Sequence, residues 1–231
     1  MLAIGAQMNK LIWIVDSPFS RSIKWLLLQR EIDHTEHLLT WDGMKSDRLL
    51  AEYNPKLQVP TLVTKEEVLS DSLLIILRFL GHDWHRTTDA KLFRLGDCDF
   101  EATLIFLFRA NLLKRRFGPS QESDFMREAG VTNYQKGVDV LLDHLLVNTA
   151  KIEVNGGLVL VFSMILIARF ICQSDAMHDY RFEELLQLND ALAADPHYQE
   201  LAQNYTGHQG HQGHQGHQGH QGHQWPFFLV A

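Results

Sequence analysis

The sequence predicts a small α/β domain followed by an all-helical domain. Before Gly81, apolar residues occur in short runs rich in β-branched and aromatic side chains, as in strands of a buried sheet. Beyond Gly81 these runs give way to long stretches with helical periodicity. The chain of 231 residues, 45% of them hydrophobic, is long enough for one or two domains with a sizeable core. We place the domains at residues 1–82 and 83–203, followed by a tail at 204–231.

The first strand and the helix after it have the clearest signals. Residues 11–15 form a short apolar run that is typical of a strand buried on both faces. Ser17 and Pro18 are a helix start, because Ser caps helices and Pro suits the first helical position. Apolar residues then recur at helical spacing from Ile23 to Leu27.

A proline stands directly before the next predicted strand, residues 61–64. The bond between Val59 and Pro60 can be cis, because X-Pro bonds tolerate that isomer. This geometry would turn the backbone N–H and C=O of Val59 outward as an edge that can pair with a peptide.

The third block opens a helix. Asp71 and Ser72 occupy the first turn of an apolar helix that runs to Leu80 and stops at Gly81. Free N–H groups at such a helix start suit a carboxylate ligand.

The second part of the chain is predicted to be helical after a linker at 83–88. We expect helices at 89–117, 122–146, 159–173, 181–193 and 196–203. Gly96 is expected to bend the first of them. One face of that helix stays apolar at four-residue spacing through Phe100, Leu104, Phe108 and Leu112.

Together, Ser17-Pro18-Phe19, Gln58 to Leu62 (Gln-Val-Pro-Thr-Leu) and Asp71-Ser72 resemble the N-terminal domain of the cytosolic glutathione transferase superfamily. The resemblance covers about residues 9 to 82. It implies a thioredoxin-like domain of order βαβ-α-ββα, then an all-helical domain, usually in a homodimer. The second half departs from the family, because Leu160 and Ser163 stand where a capping Ser or Thr and an Asp would begin the central helix.

The resemblance also implies the site. Ser17 would donate a hydrogen bond to the glutathione thiolate as the catalytic residue, with Ser20 as the rival donor. The backbone of Val59 would pair with the cysteinyl unit, and Ser72 with the helix N–H groups would hold the γ-glutamyl carboxylate. The full set of implied glutathione-binding residues is Phe19, Gln58, Val59, Pro60, Asp71 and Ser72.

Each residue also has a structural interpretation. Ser17 can cap its helix, and the same oxygen can cap and donate. Gln58 can be an exposed loop residue, Pro60 can be purely architectural, and Asp71 with Ser72 can be ordinary helix-start residues.

The implied function is a glutathione transferase that conjugates glutathione, its co-substrate, to a hydrophobic electrophile in detoxification. No further cofactor and no metal is expected. The alternative is a non-catalytic binding or regulatory protein of the same fold, and glutathione-dependent isomerisation or dehalogenation would use the same thiolate. The absence of cysteine at Ser17 and Ser20 argues against a disulfide oxidoreductase, which needs a sulfur nucleophile there.

Charge and cysteine usage narrow the partners and the compartment. Residues 83–203 carry 12 basic and 18 acidic side chains, which argues against nucleic-acid binding. Cys98 and Cys172 lie in apolar helical patterns and are expected to be buried free thiols in a reducing compartment. The longest apolar stretch, 158–167, is too short to span a bilayer. We therefore expect a cytoplasmic protein that does not bind membranes.

The tail repeats Gly-His-Gln six times between Gly207 and Gln224. Such a tract cannot bury enough surface to fold alone, which predicts disorder. Its imidazoles could chelate Zn, Ni or Cu loosely, but no carboxylate or cysteine fixes a geometry. The apolar end, 225–231, either docks on the helical domain or stays free, and the sequence leaves both open.

Overall fold

The protein is represented by a computed structural model that describes residues 9–146, 152–172, 174–206 and 227–229. The chain divides into two compact units, residues 1–85 and 86–231. The described part of the first unit is α/β and that of the second is helical, so the predicted fold class is confirmed.

Within residues 9–85, the first unit is built on a four-stranded sheet of order β2-β1-β3-β4. Its elements are β1 (Asn9–Ile14), α1 (Pro18–Gln29), β2 (His34–Leu39), α2 (Trp41–Met44), α3 (Arg48–Tyr53), β3 (Thr61–Val63), β4 (Val68–Leu69), α4 (Ser72–Leu80) and a 3₁₀ helix (His82–Arg86). Strand β1 is parallel to β2 and antiparallel to β3, which is antiparallel to β4. This is the predicted βαβ-α-ββα arrangement.

The core of the first unit follows the central strand. Leu11 and its neighbours to Ile14 are buried on both faces of the sheet, as the unbroken apolar run predicted. Helix α4 ends at Gly81, whose positive φ of 77° suits glycine.

A polar cluster joins α1 to strands β1 and β2. The buried Lys24 ammonium donates to Glu36 Oε1 and to His34 Nε2, both at 2.8 Å, and Trp13 Nε1 donates to Glu36 Oε2 at 2.9 Å. Because an ammonium has no acceptor, His34 Nε2 accepts and its Nδ1 donates to the Ile32 carbonyl at 2.6 Å. Burial, aided by the Lys24 charge, lowers the pKa of His34.

The described part of the second unit consists of helices. They are α5 (Thr88–Arg94), a π-helical segment (Leu95–Phe100), α6 (Glu101–Phe117), α7 (Gln121–Asp139), a second π-helical segment (Val140–Leu145), α8 (Gly156–Cys172), α9 (Asp175–His178), α10 (Phe182–Ala194) and α11 (Pro196–Thr206). The first two predicted helices therefore each contain a π-helical segment. Gly96 lies in the first, where an added Cβ would stand 2.8 Å from the Leu160 side chain of α8. Within these residues, no helix is long and apolar enough to cross a membrane.

Helix α8 is the core of the second unit, and its start differs from the prediction. Leu160 and Ser163 lie inside the helix and are fully buried. The cap comes from elsewhere, because Asn155 Oδ1 accepts a first-turn backbone N–H at 2.9 Å and Asp89 Oδ1 accepts the Gly157 N–H at 2.6 Å. The helix therefore begins at Gly156 rather than at the predicted 159, and it is capped although the family's capping pair is absent.

The aromatic face of α6 and the two cysteines divide between core and surface. Leu104 is buried, whereas Phe108 and Leu112 are about half exposed. Cys172 is buried as predicted, but Cys98 is exposed, so its predicted burial is wrong. Cys98 lies in the first π-helical segment, where the wider turn changes the direction of each side chain relative to an α-helix.

The end of the chain also differs from the predicted tail. Helix α11 continues to Thr206, beyond the predicted end at 203. Phe227 is buried, and the hydroxyl of Tyr198 on α11 donates to its carbonyl at 2.8 Å. Of the two alternatives, docking therefore holds for residues 227–229. The Gly-His-Gln repeats lie outside the described residues.

Candidate functional site

The three motif blocks meet at one end of the sheet. Ile12 of β1 pairs with Thr61 of β3, so the turn after β1 and the residues before β3 lie at the same edge. Leu62 pairs with Leu69 of β4, so the chain returns to that edge before α4. The register alone thus gathers Ser17, the 58–60 segment and the start of α4.

Ser17 is the N-cap of α1. Its backbone is extended (φ −84°, ψ 119°), and its Oγ accepts the Ser20 N–H at 3.3 Å. Its own N–H donates to the Ile14 carbonyl at 3.1 Å, which ties the cap to the end of β1. A hydroxyl that accepts one hydrogen bond still has a proton to donate. The capping interpretation of Ser17 is therefore correct, and it leaves the donor role available.

Ser20 and Phe19 follow in the first turn of α1. Ser20 is fully buried, and its Oγ has no hydrogen-bond partner among the described residues. Phe19 is half-buried. Ser20 therefore keeps an unsatisfied hydroxyl one helical turn from the cap.

Arg21 fixes the turn that carries Ser17. Its side chain is fully buried, and its Nε donates to the Val15 carbonyl at 2.7 Å. The guanidinium also lies 4.0 Å from Asp16. The turn between β1 and α1 is thereby held from inside the unit.

The segment before β3 is held by Asn54. This buried side chain donates to the Gln58 carbonyl and to Thr61 Oγ1, both at 3.0 Å. Thr61 Oγ1 in turn donates to the Gln58 carbonyl at 2.8 Å, and Asn54 Oδ1 accepts the Lys56 N–H at 3.1 Å. These four hydrogen bonds define the path of the chain around Gln58.

The bond between Val59 and Pro60 is cis, as the sequence suggested. Pro60 is buried, Val59 is half-buried, and the Gln58 side chain is exposed. Within the described residues, the N–H and C=O of Val59 have no hydrogen-bond partner. This backbone pair is free to bind an extended peptide.

Asp71 is the N-cap of α4. Its Oδ1 accepts the N–H groups of Leu73 at 2.8 Å and Leu74 at 3.3 Å. Two of the N–H groups predicted to be free are therefore taken by Asp71 itself. The Ser72 N–H, at the first helical position, is left for a ligand.

The three motif blocks at this edge of the sheet fall within one family match. Residues 16–82 match the family model described as the glutathione S-transferase N-terminal domain. The match covers residues 16–82 of the 231-residue chain, which therefore resemble a glutathione S-transferase N-terminal domain.

Solved glutathione transferase structures have a fold similar to that of this chain. Glutathione transferase F7 from Populus trichocarpa is 12% identical, with 85% of this chain and 98% of that chain covered and a TM-score of 0.62. A Methylobacillus flagellatus glutathione S-transferase with glutathione bound is 20% identical, with coverage of 84% and 98% and a TM-score of 0.60. A bacterial maleyl pyruvate isomerase of the Zeta class is 18% identical, with coverage of 83% and 95% and a TM-score of 0.63. The search of curated protein sequences gave no match.

Two residues that hold this candidate site were not singled out from the sequence. Asn54 precedes Pro55, a pairing that favours turns, but its bonds to residues 58 and 61 connect positions that only the fold brings together. Arg21 resembles an exposed helical charge in the sequence, whereas the structure buries it. In the described residues, no group of three or more His, Cys, Asp or Glu side chains is placed to hold a metal ion.

Proposed function

We propose that this protein is a glutathione transferase that stabilises the glutathione thiolate with Ser17 and conjugates it to a hydrophobic electrophile. The observation that carries the proposal is the convergence of Ser17, the unpaired Val59 backbone and the start of α4 at one sheet edge. Each of the three offers a polar group for a different part of a tripeptide.

The assignment of glutathione follows from these groups. The Val59 N–H and C=O suit the backbone of the cysteinyl residue, and the exposed Gln58 side chain can contact the same peptide. The Ser72 N–H and hydroxyl suit the γ-glutamyl carboxylate, with the Asp71 carboxylate beside it for the ammonium group. Phe19 and Pro60 shape the apolar surface around the sulfur.

The energetics suit a helix-start hydroxyl. The thiol of glutathione, taken as a cysteine, has a pKa of about 8.5, and lowering it by about two units takes roughly 2.7 kcal/mol. A hydrogen bond to a charged group contributes about 1.5 to 3 kcal/mol. The positive end of α1 adds about 0.3 to 1 kcal/mol. Together, the hydrogen bond and the helix dipole are large enough to lower the pKa of the glutathione thiol by about two units.

Ser17 is the better donor of the two serines. Ser17 lies in the turn between β1 and α1. Its Oγ accepts the Ser20 N–H, which leaves the hydroxyl proton available to a ligand. Both serines are buried, Ser17 at 3% and Ser20 at 0% exposure. Ser20 lies one turn further into the helix, so a sulfur at the helix start would reach its Oγ less readily.

We further propose a homodimer in the cytoplasm. Helix α6 presents an apolar stripe in which Ile105 is 46%, Phe108 47% and Leu112 51% exposed, and Leu74 of the first unit is 51% exposed. Exposed apolar stripes of this kind are typical of interfaces. A two-fold axis would cover both by setting the first unit of one copy against the second unit of another.

Retention on immobilised glutathione tests the binding step, and conjugation of a generic aromatic electrophile tests the chemistry. We expect the protein to be retained, to be eluted by free glutathione and to catalyse conjugation. Retention without conjugation would favour a non-catalytic binding protein, and failure of retention would remove the proposal.

A further inference from the structure

The last described residues of the chain form a short segment bound to α10 and α11. Phe227 is only 3% exposed, and Phe228 and Leu229 are half-buried. Twenty residues, 207–226, separate the segment from the end of α11 at Thr206. The contact is therefore non-local within the second unit.

Two side chains hold the backbone of this segment. The Tyr198 hydroxyl on α11 donates to the Phe227 carbonyl at 2.8 Å. Asn189 Oδ1 on α10 accepts the Leu229 N–H at 2.9 Å. Paired backbone contacts of this kind bind a peptide whatever its side chains, while neighbouring surfaces select among side chains.

The preference for aromatic side chains in the segment comes from the ring of Tyr198. Its ring is fully buried and packs edge-on against both phenylalanines, with centroid distances of 6.3 Å to Phe227 and 5.6 Å to Phe228. Such T-shaped pairs add to the free energy of apolar burial. Asp195 fixes the first turn of α11 beneath it, because its Oδ1 accepts the Tyr198 N–H at 2.8 Å.

Most of the chain between α11 and the segment has no apolar side chain. Residues 207–224 consist only of Gly, His and Gln. The sequence thus confines the apolar residues that follow α11 to 225–231.

We propose that the face formed by Asn189 and Tyr198 is a binding site for a short peptide with two adjacent aromatic residues followed by an aliphatic one. The chain's own Phe227-Phe228-Leu229 is its resident ligand. A peptide of the same chemistry competes with that segment for the site. This site shares no residue with the proposed glutathione-binding site, whose residues all lie in the first unit.

Docking within the chain is tested first by thermal unfolding of the full-length protein. Phe227→Ala should lower the melting temperature by about 6 °C or more, because a buried phenylalanine ring is removed. The matched control is Phe117→Ala, since that ring is 74% exposed, and it should change the melting temperature little. Glutathione retention should be unchanged in both variants, so this test is independent of the proposed function. Equal melting temperatures for the two variants would overturn the docking.

Binding of a separate peptide is tested with a fluorescent Trp-Pro-Phe-Phe-Leu-Val-Ala peptide and full-length protein. The variant Phe227→Ala with Phe228→Ala should bind it at least about tenfold more tightly than wild type, because the resident segment no longer competes. Adding Asn189→Ala should weaken binding by about fivefold, as expected for one lost hydrogen bond.

If the double variant does not fold, Leu229→Pro replaces it, because proline removes the N–H that Asn189 accepts while keeping both rings. No binding to a folded undocked variant, or equal binding to that variant and wild type, would overturn the proposal. The contact would then be internal packing only.

Discussion

At the scale of single residues, the proposed mechanism depends on one hydroxyl with two uses. Ser17 Oγ accepts a hydrogen bond that begins α1, and its proton is proposed to bind the glutathione sulfur. Ser17→Ala should lower the conjugation rate at neutral pH by roughly ten- to a hundredfold, because a hydrogen bond to a charged group is lost. Raising the pH should restore part of the rate, since more thiolate then forms without help.

The comparison variant is Ser20→Ala, which should reduce the rate less. Both variants should still be retained on immobilised glutathione. Rates for Ser17→Ala that match wild type across the pH range would take Ser17 out of the mechanism.

Asn54 is a positioning residue. Its amide donates to the Gln58 carbonyl and to Thr61 Oγ1, so Asn54→Ala should disturb the segment that carries Val59. We expect a raised KM for glutathione with a smaller change in kcat, and a loss of about 1 to 3 kcal/mol in unfolding free energy. Asn54→Asp keeps the acceptor for the Lys56 N–H but loses both donors, and it should also raise KM. An unchanged KM in both variants would show that the segment is held without Asn54.

At the scale of elements, predictability from sequence follows the source of each element's stability. Strand β1 and helices α1 and α4 were predicted because their apolar patterns and caps are local signals. Strand β2 has no such local signal, because several of its residues are exposed and break the apolar pattern. It is stabilised instead by pairing with β1 and by the ion pair between Lys24 and Glu36. The π-helical segments were not predicted. Close packing such as that of Gly96 against Leu160 accompanies the first of them, and this packing arises only when the helices come together in the fold.

The polar cluster of Lys24, His34 and Glu36, which joins α1 to β2, predicts a pH dependence of the unfolding free energy. In the native state the pKa of His34 is lowered, so as the pH falls below about 6.5 the unfolded chain binds a proton that the native chain does not. Unfolding free energy, measured by denaturant titration, should therefore decrease as the pH falls through this range. His34→Gln should flatten the dependence, whereas the exposed His82→Gln should preserve it. Identical slopes for both variants would show that the His34 cluster does not govern acid stability.

At the scale of the whole molecule, assembly is the first test. The apolar stripe on α6 and the exposed Leu74 predict a two-fold dimer. Sedimentation at micromolar concentration should give about twice the 26.6 kDa monomer mass. Leu112→Glu should shift the equilibrium towards monomer, with Phe117→Glu on the same helix as the control. A wild type that sediments as a monomer would refute the proposed dimer.

The sequence named the candidate residues of the site but not the contacts that hold them. The order of the three motif blocks was enough to predict the fold and to name the candidate residues, whereas the sheet edge where they meet follows from the strand register. It could not show that Asp71 occupies two N–H groups of α4 or that Asn54 holds the 58–60 segment. Those facts depend on side-chain directions, which spacing alone does not determine.

The most direct test is an ultraviolet titration of the thiolate of bound glutathione, in wild type and in Ser17→Ala. The proposal predicts an apparent thiol pKa about two units below the free value of about 8.5 in wild type, and a shift of about one to two units back in the variant. Bound glutathione that titrates near the free value in both proteins would contradict thiolate stabilisation by Ser17.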